Sequence, residues 1–220
     1  MNLLLSYADL VDPTSRALDI GCGQGRNSLF LARKNQKVDA LDPSIEAIRA
    51  VRAAARREGL QIHTIHGGFE DIEPVPAVYG AILVFGLIPD LSRTMVTALV
   101  SSIETILAPG GVLFMTAFGT WDPSFERHER ESTETADNSL RSLGGPFRTY
   151  LKTGELVSLF PSFDVVHSWE GLGPEHRHGD GPIERPGRAE AVFRRPCVEC
   201  DSPCQQWESG FRIWDFEFRI

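Results

Sequence analysis

Gly21, Gly23 and Gly25 follow the short apolar run 17–20 and are separated only by Cys22 and Gln24. Glycines after a strand let the backbone approach a ligand closely and adopt angles that other residues avoid. Asp42, 21 positions beyond Gly21, closes a second apolar run and is followed by Pro43. A carboxylate so placed accepts hydrogen bonds from a ribose diol. The glycine spacing is not that of a dinucleotide site, whose second interval is one residue longer. An acid inside the first strand, Asp19, is also foreign to that pattern. Together these signals favour a nucleoside cofactor without a pyrophosphate and disfavour an NAD-type oxidoreductase.

A second cluster, His176-Arg177-His178, lies in a loop, residues 170–187, that holds five glycines and three prolines. The flanking segments 163–169 and 188–194 read as strands. If the first runs parallel in a sheet and the second returns antiparallel, the loop emerges beyond the carboxyl ends of the strands. That is where α/β proteins bind ligands. His176 is then the candidate general base and Arg177 the candidate anchor for an anionic acceptor. His63 and His66 alternate on a strand and read as packing or edge residues, and His128, in an acidic stretch, suggests nothing specific. Cys197, Cys200 and Cys204 crowd together near the end, but a closed zinc site wants a fourth ligand and none is evident in the tail. They read as inert thiols and Cys22 as a packing residue, so no metal is expected.

Such residues need a scaffold of alternating strands and helices. Runs 17–20, 38–41, 61–66, 81–85 and 112–115 read as five strands, the fourth unalternating and so buried on both faces. Helices are expected between them, one with Ile45, Ile48, Val51 and Ala55 on a stripe and another with Met95, Leu99, Ile103 and Ile106 in register. Asp42 and Pro43 are expected to cap and open the first of these. Residues 121–137, with six acids and two arginines, read as a surface segment or lid, and helical pattern returns over 151–160. The 220 residues, 42% hydrophobic and 24% charged, suit one domain with a sizeable core. A net charge of -8 makes stable nucleic-acid binding a poor expectation. No stretch is apolar enough for a membrane span and the start lacks a signal peptide's basic segment, so cytoplasm is the default.

The run Ala17-Leu18-Asp19-Ile20-Gly21-Cys22-Gly23-Gln24-Gly25, the segment 38–42 and Leu107-Ala108-Pro109-Gly110-Gly111 resemble the class I S-adenosylmethionine-dependent methyltransferases. Residues 147–156 and 171–179 are similar to the tellurite-resistance (TehB-like) group, and the resemblance covers residues 3–195. It implies a Rossmann-like α/β domain with helices on both faces of a seven-stranded, mostly parallel sheet. The implied strand order is 3-2-1-4-5-7-6, with an antiparallel final strand. It also implies S-adenosyl-L-methionine as cofactor, with Asp19 at the methionine amino group and Gly21, Gly23 and Gly25 as the floor. Cys22 packs nearby, Asp42 beside Pro43 takes the ribose, and Phe85, with Gly86 and Leu87, flanks the transferring methyl. Relatives commonly carry an acid where Gly68 stands, so a side-chain contact to adenine falls to Glu70 or Asp71, with Phe69 as the apolar wall. The adjacent His176 and Arg177 match the pair that acts on the acceptor.

The expected unit is residues 1–196, with 197–220 an appendage carrying cysteines and aromatics. Residues 3–10 form a shorter cover before the first strand than relatives usually have. The expected reaction moves a methyl group to a small nucleophile, a thiol, chalcogen oxyanion or similar molecule, and needs no metal. A non-enzymatic S-adenosylmethionine-binding protein is the rival reading.

Overall fold

The computed structural model describes residues 3–142, 144–177 and 183–197. Its centre is five parallel strands, β1 (Arg16–Ile20), β2 (Lys37–Asp42), β3 (Ile62–His66), β4 (Tyr79–Phe85) and β5 (Leu107–Gly119), in the order 3-2-1-4-5. Three short strands follow in sequence, β6 (Glu134–Ala136), β7 (Ser139–Arg141) and β8 (Phe147–Leu151). They form an antiparallel meander whose last strand runs parallel to the end of β5, pairing Phe118 with Tyr150. Next come β9 (Asp164–Leu172), the two-residue strands β10 (His176–Arg177) and β11 (Ile183–Glu184), and β12 (Gly187–Arg194). β12 lies antiparallel between β5 and β9. Counting β9 as sixth and β12 as seventh, the central order is the expected 3-2-1-4-5-7-6, and the meander is an addition to it.

The helices are α1 (Leu3–Tyr7), α2 (Arg26–Arg33), α3 (Ile45–Glu58), α4 (Arg93–Ile106), α5 (Phe125–Glu131) and α6 (Glu155–Ser158). The unalternating strands are explained by two cores, one on each face of the sheet. Ile82, Val84, Leu113 and Met115 pack on one side with Leu99 and Ile103 of α4, while Ala81, Leu83, Val112 and Phe114 pack on the other with Leu3, Leu4 and Leu31. Successive side chains of a strand point to opposite faces, so a strand covered twice must be apolar throughout.

Two local expectations need correcting. Ser44, not Asp42, caps α3: its hydroxyl accepts from the Ala47 amide at 3.2 Å, while Asp42 remains in β2 and accepts from the Ser44 amide. Serine fits because the helix starts two residues later than the acid suggested. Residues 121–137, expected as a surface segment or lid, hold α5, none of whose residues is buried, and β6; the second correction is that the helix expected over 151–160 is one turn, its first residue Leu151 belonging to β8. The front segment packs Leu3 and Leu4 into the second core and does not reach the ligand edge described below. Of the tail, Cys197 is an exposed free thiol, and Cys200, Cys204 and the remaining appendage lie outside the described residues. Among the described residues no helix is long and apolar enough to cross a membrane.

Candidate functional site

β1, β2 and β4 end together, since Ile20 pairs with both Leu41 and Val84. The glycine turn leaves this edge with Gly21, Gly23 and Gly25 at φ of +71°, +52° and +81°. The Gly21 and Cys22 amides both donate to the Leu41 carbonyl at 2.9 Å, which ties the turn to β2. At Gly25 a Cβ would stand 2.7 Å from Cγ2 of Val51 on α3. The same residue begins α2, so close packing of two helices depends on its missing side chain. Gly25→Ala is expected to lower stability by about 2 kcal/mol or more, through left-handed backbone strain and overpacking. A thermal melt checks this; an unchanged Tm would refute the packing argument.

Asp42 faces this turn. One carboxylate oxygen accepts from the Gly23 amide at 2.8 Å and the other from the Ser44 amide at 2.8 Å. Each oxygen retains a lone pair for a further donor. In front of it opens a cavity of about 460 Å³, walled by Gly21, Asp42, Pro43, Phe69, Glu70, Leu87 and Met95 among others. Phe69 is buried in the main core and Glu70 is exposed at the rim. The cavity thus has an apolar wall for a flat ring and, on one side, an anion with acceptor capacity.

Asp19 lies behind the turn, fully enclosed, with the Ser28 hydroxyl donating to it. Burial pushes its carboxyl up to about 6, against the lowering effect of that hydrogen bond. Cys22 packs with Ala40, Ile48 and Val51, and burial, with Asp19 and Asp42 nearby, pushes its thiol up to about 12.

Residues 17–111 match the family described as a methyltransferase domain. The ubiquinone biosynthesis O-methyltransferase of Xylella fastidiosa (strain 9a5c) is 33% identical over 102 residues, 46% of this chain and 41% of that protein. The chain therefore spans about two fifths of that curated relative's length. Two solved structures share the fold. TehB from Haemophilus influenzae superposes with a TM-score of 0.68 at 22% identity, over 87% of this chain and 61% of that one. A SAM-dependent methyltransferase from Methanosarcina mazei gives 0.71 at 18%, over 90% of this chain and 100% of that one.

Of the residues expected at the cofactor, Gly21, Asp42, Pro43, Phe69 and Glu70 line the cavity. Asp19, Cys22, Gly23 and Gly25 stand behind or beneath it, and Phe85 packs partly buried against the second core. His176 and Arg177 lie on β10 in the loop that leaves β9, beside the ends of β5 and β12; their side chains lie outside what is described. The loop's base is fixed to the end of β5, because Trp121 Nε1 donates to the Gly171 carbonyl and the Gly187 amide donates to Asp122 at 2.7 Å.

The sequence reasoning placed Gly86 and Leu87 beside the cofactor, and both line the cavity, but it missed Leu91 and Met95 as walls; the apolar register of α4 was the available signal for Met95. It also missed a second hollow, about 340 Å³, between the end of β5, α5 and β8. Arg127, His128, Arg148, Tyr150, Phe118 and Arg185 line it. Here the Tyr150 hydroxyl bonds to His128 Nδ1 and to Ser124 Oγ.

Proposed function

We propose that this protein transfers the methyl group of S-adenosylmethionine to a small-molecule nucleophile by in-line displacement. The observation that carries the reading is the open cavity at the ends of β1, β2 and β4, with Asp42 presenting spare acceptor capacity to it. In this reading Asp42 and Pro43 hold the ribose, and Phe69 and Glu70 flank the adenine. Gly21, Gly23 and Gly25, with Cys22 packed behind them, bring bare backbone under the methionine portion. Asp19 supplies negative charge to its cationic end, and Phe85 flanks the reacting carbon. The bound cofactor supplies an already activated methyl group, so the protein's task is to orient the acceptor and exclude water. His176 removes the acceptor's proton where it has one, and Arg177 holds its charge. A thiol, a chalcogen oxyanion or a similar small polar molecule is the proposed acceptor class. Residues 1–196 are the proposed catalytic unit and 197–220 a separate appendage.

A titration with S-adenosylhomocysteine and, in parallel, NADH tests the cofactor. Binding of the first and not the second is expected; the reverse would return the dinucleotide reading. A screen of small soft nucleophiles, scored by S-adenosylhomocysteine release, tests the reaction. On any acceptor so found, His176→Ala is expected to slow transfer by about 100-fold or more while leaving cofactor affinity intact. Equal rates would remove His176 from the mechanism. Cofactor binding without turnover of any acceptor would favour a non-enzymatic binding protein.

A further inference from the structure

The second hollow is built from parts that no local stretch of sequence unites. Phe118 comes from the end of β5, Arg127 and His128 from α5, Arg148 and Tyr150 from β8, and Arg185 from the segment between β11 and β12. Its floor is aromatic: Phe118 and Tyr150 stack at 6.4 Å between ring centroids, and Phe125 meets Tyr150 edge-on at 5.1 Å. Its rim is cationic. Arg127 makes no hydrogen bond or ion pair among the described residues, and Arg185 spends its Nε on the Gly173 carbonyl. Arg148 pairs with Asp90 at 3.3 Å between exposed side chains. The one carboxylate in the lining, Asp122, is occupied by Ser124 and by the Gly187 amide. Three guanidiniums therefore surround an apolar floor with little negative charge to answer them, in a chain whose net charge is -8.

The Asp90–Arg148 pair also joins the two hollows, because Asp90 lines the first and Arg148 the second. A molecule in the second hollow is thus a neighbour of whatever fills the first. We propose that the second hollow holds the anionic handle of the methyl acceptor, a carboxylate or phosphate facing Arg127, Arg148 and Arg185 with its apolar body on Phe118 and Tyr150. The inference rests on the first hollow taking S-adenosylmethionine, and it narrows the acceptor to an acid that carries its nucleophile on another atom. A group gripped by guanidiniums has its lone pairs engaged and attacks poorly, so the charged end serves as the grip. Planar guanidinium forks suit either oxyanion.

His128 adds a pH signature. Burial, and then Arg127 and Arg148, hold its ring below the ordinary histidine range, with Glu131 and Asp122 opposing. At neutral pH it is an uncharged wall hydrogen-bonded to Tyr150. As the pH falls it becomes a fourth cation in the company of Arg127, Arg148 and Arg185, with Asp90, Asp122 and Glu131 the nearby acids.

The experiment is calorimetric titration of the full chain, with and without saturating S-adenosylhomocysteine, using benzoate, phenyl phosphate and neutral benzamide as probes. Both anions are expected to bind about tenfold or more tighter than benzamide, and the tighter of the two identifies the handle. The double variant Arg127→Gln/Arg185→Gln is expected to erase that preference and leave S-adenosylhomocysteine affinity unchanged. Benzoate affinity should rise as pH falls from 7 towards 5, and His128→Asn should flatten that rise. Equal binding of benzoate and benzamide by the wild type, or an anion preference that survives the double substitution, would overturn the proposal. Anion preference without any S-adenosylhomocysteine binding would instead overturn the cofactor reading and leave the anion pocket standing.

Discussion

Asp42→Ala is expected to weaken S-adenosylhomocysteine binding on the order of 100-fold or more, because it deletes two acceptor oxygens at once. Hydrogen bonds to a charged acceptor contribute about 1.5–3 kcal/mol each, and every 1.4 kcal/mol is a factor of ten. The loss has a second component. The same oxygens hold the Gly23 and Ser44 amides at 2.8 Å, so alanine also releases the glycine turn and the start of α3. Asp42→Asn keeps one acceptor oxygen and should fall between alanine and wild type. Calorimetric titration, with circular dichroism to confirm that the fold persists, decides the matter. An affinity within twofold of wild type in the alanine variant would strip Asp42 of its ribose role and remove the main support for the cofactor reading.

The second large effect is a pH dependence at Asp19. Its carboxyl is raised from 3.8 to about 6, chiefly by burial. A raised pKa means the folded chain holds the proton more tightly than the unfolded one. The stability gained from that proton is complete below about 4 and is lost as pH rises through about 6. The difference approaches about 3 kcal/mol, since every tenfold gain in proton affinity is worth about 1.4 kcal/mol. Asp19→Asn, which keeps a carbonyl oxygen for the Ser28 hydroxyl, removes this titration. The stability of the variant relative to wild type should therefore rise by up to about 3 kcal/mol between pH 4 and pH 7, whatever constant offset the new amide adds. Urea unfolding at the two pH values measures it. Parallel curves for the two proteins would show that Asp19 titrates normally. The variant should also bind S-adenosylmethionine about tenfold or more weakly, for want of the negative charge proposed to answer the cationic methionine end through the turn.

These two acids were readable from the sequence because their signals are local. Asp19 and Gly21 to Gly25 share one strand-and-turn, and Asp42 closes the next strand, so a few consecutive residues fix the backbone path that places them. The alternation of apolar runs with helices indicated a mostly parallel sheet, and the strand order came from the family resemblance alone. The meander was harder: Glu134–Ala136 and Ser139–Arg141 are short and carry no long apolar run, and their pairing depends on turns that propensity does not specify. The helix boundary at Ser44 was misjudged because two capping residues compete within three positions, and the ladder to β3, which pairs Asp42 with His66, retains the first for the sheet. The arginine-rimmed hollow had no local signal. Its members span positions 118 to 185 and meet only because β8 joins the end of β5 and the loop after β9 folds back beside them. In sequence, Arg127 and His128 are part of an acidic stretch, and its composition concealed them.

A sulfonium alkylates any competent sulfur anion within reach, including one belonging to its own host. Cys22 lies inside the turn on which the donor is proposed to rest, yet burial, with Asp19 and Asp42 nearby, pushes its thiol up to about 12 and so disfavours the thiolate at neutral pH. A thiol so protected suits a turn proposed to carry an electrophile, and that turn should outlast iodoacetamide and peroxide while exposed Cys197 reacts.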